Sequence, residues 1–189
     1  MNNTLFIDGR NFLGKLKEVL NPNKEKGKKI DLTVYNFAGL INKVLTGINL
    51  NRKIFYLGKL QKHPETKKKS EELIEEQRKL KNHLEQQGFE VIIAGRVRGH
   101  LEKRALTFKE KGVDVKIAAD MIVMAYRNEL KTAIIGSSDS DLQPAIKALE
   151  EQGIERIYLG FEISPNKGLA YTTNRTILIR NTEVLEFQN

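Results

Sequence analysis

The chain has 189 residues, 40% of them hydrophobic, with a net charge of +8 and no cysteine. The length suits one domain with a sizeable core. Disulfides, cysteine–zinc sites and cysteine nucleophiles are excluded. The positive charge favours polyanionic partners, or simply solubility. No apolar run approaches a membrane span, and Met1–Phe6 is too short and polar for a signal peptide, so a cytoplasmic protein without a membrane partner is expected.

Thr4–Ile7 is a short strand ending at Asp8-Gly9-Arg10-Asn11, and Phe12–Leu20 has helical spacing. Asn21-Pro22-Asn23 stops that helix, and Lys24–Lys29 forms a basic loop. Asp31 is a candidate N-cap for a second helix, Leu32–Leu45, ending near Gly47. Lys53–Leu57 reads as the second strand. After Lys67-Lys68-Lys69, a long charged helix runs from Ser70 to Gln87 and closes at Gly88.

Glu90–Ala94 is the third strand. Arg96–Lys111 alternates patchily about a polar turn near Leu101–Lys103, which predicts a basic hairpin or loop insertion. Val113–Asn128 is helical. Ala133–Gly136 is the fourth strand, Leu142–Gln152 a helix and Arg156–Leu159 the fifth strand. Ser164–Asn174 reads as a loop or short helix and Ile177–Ile179 as an edge strand, while Thr182–Asn189 has no clear pattern.

Strands alternating with helices imply a three-layer α/β/α sandwich around a mostly parallel sheet. A reversal of winding between the third and fourth strands gives the order 3-2-1-4-5. The switch point then lies between the strand ending at Asp8 and the strand leading to Asp139.

Acidic residues mark several element ends: Asp8, Asp114, Asp139 and Asp141, with Asn11 as a neutral oxygen donor and Asp120 further along a helix. Each has an ordinary alternative. Asp139 or Asp141 could cap a helix, the latter with Pro144 in its first turn. Asp114 could be an N-cap, Asp8 part of a turn, and Asp120 a partner of Lys116 or Arg127. Brought together, the acids would repel strongly and would take up protons or hold a cation. Oxygen donors without cysteine or paired histidine favour Mg²⁺ or Mn²⁺. Such ions activate water against a phosphodiester.

Phe6–Asn11 (FIDGRN), Lys111–Met121 (KGVDVKIAADM) and Ser137–Leu142 (SSDSDL) together resemble the three signature blocks of the NYN domain family, the LabA-like branch of the PIN-like nuclease superfamily. The third block usually reads SGDSDF in that family; here Ser138 and Leu142 replace the glycine and the aromatic. The resemblance implies a PIN-like sandwich and a metal-dependent ribonuclease. It implies catalytic, metal-holding roles for Asp8, Asp114, Asp139 and Asp141, with Asn11, Asp120 and Ser137 in support. A member that binds or scaffolds RNA without cutting it is the alternative.

An acidic centre needs flanking cations to accept a phosphate backbone. Arg10, Lys15, Arg96, Arg98, Lys103 and Arg104 are the candidates for RNA contact, because they adjoin the first and second acidic blocks. The lysine clusters are more simply solvated loops. His63, His83 and His100 lack metal-pair spacing and read as surface residues. A phosphatase of the haloacid dehalogenase type is disfavoured, since Arg10 stands where its second aspartate would be. The edge strands and tail leave room for a homodimer.

Overall fold

The computed structural model describes residues 1–23, 30–61, 67–102 and 105–188, with the backbone alone for 98–102 and 105–109. The predicted basic loop 24–29, His63 and the hairpin tip at Lys103 and Arg104 lie outside the described residues, as do the side chains of Arg98 and His100.

The chain runs β1 (Asn2–Asp8), α1 (Gly9–Leu20), α2 (Phe37–Val44), β2 (Arg52–Leu60), α3 (Lys67–Gln86), β3 (Glu90–Glu102), β4 (Ala105–Lys111) and α4 (Val113–Tyr126). It continues through β5 (Leu130–Gly136), a 3₁₀ turn (Ser140–Leu142), α5 (Gln143–Glu151), β6 (Glu155–Phe161), α6 (Lys167–Thr172), β7 (Arg175–Ile179) and α7 (Asn181–Glu186). Among the described residues the sheet order is β4-β3-β2-β1-β5-β6-β7. Every pairing is parallel except β3 with β4, which is antiparallel.

The central strands are apolar on both faces because both faces are covered. Leu5, Ile7 and Phe55 pack with Phe12, Leu16, Phe37, Leu40 and Leu84 on one side. Phe6, Ile54, Tyr56 and Ile135 pack with Ile117, Met121, Ile146 and Leu149 on the other. This gives the three-layer α/β/α sandwich. No helix among the described residues is long and apolar enough to cross a membrane.

The expected order 3-2-1-4-5 reappears at the centre as β3-β2-β1-β5-β6, and differs by the strands added at its edges. Within the expected insertion 96–111, residues 96–102 continue β3 and 105–111 form β4, with Arg96 opposite Lys111. Ile177–Ile179 falls within β7, and the unassigned tail contains α7.

Some local expectations change. Asp31 does not cap a helix from Leu32. Its carboxylate accepts from the Thr33 N–H at 2.8 Å and the Thr33 hydroxyl at 2.7 Å, forming a local turn. The second helix begins at Phe37, with Asn36 as its cap. His83 is half-buried rather than on the surface; its Nε2 lies 2.8 Å from the Tyr35 carbonyl and 2.6 Å from Gln87 Nε2.

Candidate metal centre

β1 lies between β2 and β5, so the crevice at the winding reversal opens beyond the carboxyl ends of β1 and β5. Ile7 is in register with Gly136, which sets Asp8 near Ser137. Asp8 ends β1, is buried, and caps α1 by accepting from the Asn11 N–H at 3.2 Å. Its Oδ2 accepts from the Asn11 side-chain amide and, at 3.1 Å, from the Ser137 hydroxyl. Gly9 follows directly because a Cβ there would collide with the Tyr56 carbonyl oxygen.

Ser137 relays this order onward. Its Oγ accepts from the Asp139 N–H at 3.0 Å. Asp139 in turn caps the 3₁₀ turn, its Oδ1 accepting from the Asp141 N–H at 3.0 Å. The capping role therefore belongs to Asp139. Asp141 lies inside the turn and is exposed, and Pro144 is the second residue of α5. Ser138, at the position where the resemblance leads one to expect glycine, donates its hydroxyl to Asn11 Oδ1 at 3.0 Å.

Asp114 arrives from the other side of the crevice. Gly112, in the left-handed conformation at φ 89°, turns the chain from β4 into α4, and Asp114 sits in the first helical turn rather than at the cap. There the helix dipole favours a carboxylate. Asp114, Asp139 and Asp141 each bring a carboxylate oxygen within 4.8 Å of the others. At that separation and an effective dielectric near 20, each ionised pair repels by roughly 3 kcal/mol. Among the described residues, none of the three forms an ion pair with a lysine or arginine. An all-oxygen set of this kind fits a hard divalent cation.

These acids line a cleft of about 440 Å³ that also contains Asp8, Arg10, Asn11, Glu110 and Lys111. Glu110 was not singled out from the sequence, where it is hidden in a run of basic residues. It is half-buried near the end of β4. Burial above all, and then the charge of Asp8, push its carboxyl above the usual range; Arg10 and a hydrogen bond from the Gly58 backbone pull it back, and Asp114 adds to the rise. Gly58 leaves the room required, because a Cβ there would run into the Glu110 carboxylate. The usable sequence signal was an acid two residues before the glycine that opens α4.

The remaining candidates are more dispersed. Asp120 lies outside the cleft lining. It accepts from the buried Tyr56 hydroxyl at 3.0 Å and pairs with Lys116. Arg10 is exposed at the cleft. Lys15 pairs with Glu18 at 3.0 Å and lines a small neighbouring cavity with Asn11, Ser137 and Ser138. Arg96 is exposed on β3.

The family model for the NYN domain matches residues 3–179. No curated protein matches the chain. A crystal structure of a protein of unknown function from Vibrio parahaemolyticus is similar in fold, with a TM-score of 0.59 at 14% identity, covering 93% of this chain and 91% of that one.

Proposed function

The chain belongs to the NYN domain family, within the PIN-like nuclease superfamily, and we propose that it is a metal-dependent ribonuclease that hydrolyses RNA phosphodiester bonds. One observation carries this reading: carboxylates from two separate elements, Asp114 on α4 and Asp139 and Asp141 after β5, converge within 4.8 Å in a cleft that also holds Arg10 and Lys111. The three motif blocks support its placement in the LabA-like branch.

Asp114, Asp139 and Asp141 would hold Mg²⁺ or Mn²⁺, and Asp8 faces the same cleft. A bound divalent cation supplies water activation and charge stabilisation during in-line displacement. Asp8, fixed by Asn11 and Ser137, holds the Ser137–Asp139 loop in place. Glu110, with its affinity for a proton raised, is placed to accept one inside the cleft. Arg10 and Lys111 offer cations to the phosphate backbone. The exposed Arg96, opposite Lys111 in the β3–β4 pairing, offers a further cation beside them.

The test is cleavage of labelled single-stranded RNA in Mn²⁺ by wild type and by Asp139→Asn. The proposal requires cleavage that depends on metal and is lost by orders of magnitude in the variant. RNA binding with equal, negligible cleavage by both proteins would favour the non-cutting RNA-binding module.

A further inference from the structure

The loop bearing Asp139 is held from its inner side by Asp8 and Asn11. A second hold comes from the far side of the crevice, from a residue outside the three motif blocks. Asn166 precedes α6 and caps it, with Oδ1 accepting from the Leu169 N–H at 2.9 Å. Its side-chain nitrogen does not serve the cap. It donates to the Ser138 carbonyl at 2.9 Å, 28 positions away in sequence.

Asn166 is itself anchored. Its backbone N–H donates at 2.8 Å to the hydroxyl of Tyr158, whose side chain is only 1% exposed. Gly160 keeps that hydroxyl clear, because a Cβ there would stand 2.5 Å from it. The connections therefore run from a buried ring on β6, through Asn166, to the peptide between Ser138 and Asp139. The Ser138 hydroxyl meets Asn11 at 3.0 Å on the opposite side. The loop is thus clamped between α1 and α6.

We propose that Asn166 is a positioning residue for the Asp139 carboxylate, fixing the Ser138 carbonyl so that the loop presents Asp139 to the cleft. This rests on the reading of the acidic cleft as a divalent-cation site. Only an amide of this length offers one acceptor for the helix cap and one donor for the carbonyl together. Serine and aspartate cap helices about as well as asparagine. Serine is too short to span both partners, and an ionised aspartate has no proton to donate.

The experiment measures Mn²⁺ affinity by titration of the full chain, with RNA cleavage measured in parallel. The proteins are wild type, Asn166→Ser, Asn166→Asp and Thr172→Ala. The last removes a hydroxyl that donates to the Gly168 carbonyl within α6 at 2.6 Å, and so changes α6 without touching Ser138. Loss of a partner bonded to the ligand itself typically weakens metal binding about 10–100-fold; Asn166 holds the peptide that carries Asp139, so its loss should fall at the lower end of that range. Asn166→Ser should show that loss with its melting temperature nearly kept, while Thr172→Ala binds Mn²⁺ as wild type does. Should Asn166→Ser not fold, Asn166→Asp carries the same expectation with an equally good cap. Unchanged Mn²⁺ affinity in the position-166 variants would overturn the positioning role, as would an equal loss in Thr172→Ala. Wild type that binds no Mn²⁺ would overturn the cation site itself, a distinct result.

Discussion

The Ser137 hydroxyl donates to Asp8 Oδ2 at 3.1 Å while accepting the Asp139 N–H at 3.0 Å, so one buried side chain joins the end of β1 to the loop after β5. Ser137→Ala leaves the Asp139 N–H without this acceptor and removes a donor from a buried carboxylate. The expected cost is about 1–3 kcal/mol of folding stability, measured by urea denaturation. Ser138→Ala, which removes a more accessible hydroxyl, should cost less. Equal, near-zero effects would deny Ser137 this linking role.

Glu110 gives a prediction with a definite sign. Its carboxyl is held above the usual range, so the folded chain binds that proton more readily than the unfolded chain. Its favourable contribution is complete below the ordinary glutamate range and is lost as pH rises through the folded value. Without divalent metal, Glu110→Gln should therefore raise the melting temperature at pH 8 and leave it nearly unchanged at pH 4. A fall at pH 8 would contradict the burial and the Asp8 charge as causes of the rise.

The five central strands were legible because they are buried on both faces and so read as apolar runs; the acids at Asp8 and Asp139 then marked where two of them end. Other features depended on contacts that spacing does not show. Glu110 joins the cleft only through the β3–β4 register, which sets it opposite Val97. Asp120 lies six residues after Asp114, about 240° further round the helix, and so turns to Tyr56. The polar group that intercepts Asp31 is its neighbour Thr33, and the β-branched Thr33 and Val34 favour helix only weakly. Short α6 and α7 lack enough turns to show a period, which hid Asn166.

Two glycines of α1 should respond in opposite directions. Gly9→Ala places a methyl against the Tyr56 carbonyl and the Leu57 and Phe55 side chains. About 1–3 kcal/mol or more should be lost, together with a shift of the Asp8 cap. Gly14 is exposed with nothing within 4 Å of an added Cβ, so Gly14→Ala should gain up to about 1 kcal/mol. Chemical denaturation of both variants checks the contrast; equal effects would contradict the close approach of α1 to β2.

Alkaline unfolding should report Tyr56. Burial, and then the Asp120 charge, push its hydroxyl well above the ordinary tyrosine value. Below about pH 10 the group is protonated whether the chain is folded or not; above it only the folded chain keeps the proton, so stability falls as pH rises. Tyr56→Phe should make that fall shallower by up to about 1.4 kcal/mol per pH unit. An unchanged slope in denaturation curves between pH 10 and 11.5 would mean that Tyr56 ionises freely in the folded chain.

The central claim is that Asp114, Asp139 and Asp141 hold a divalent cation. Anomalous diffraction from crystals of the full chain grown with Mn²⁺ tests it most directly. A peak within coordination distance of carboxylate oxygens from both α4 and the loop after β5, absent in Asp139→Asn, is the predicted result. Saturating Mn²⁺ with no peak among these carboxylates, or an undiminished peak in the variant, would contradict it.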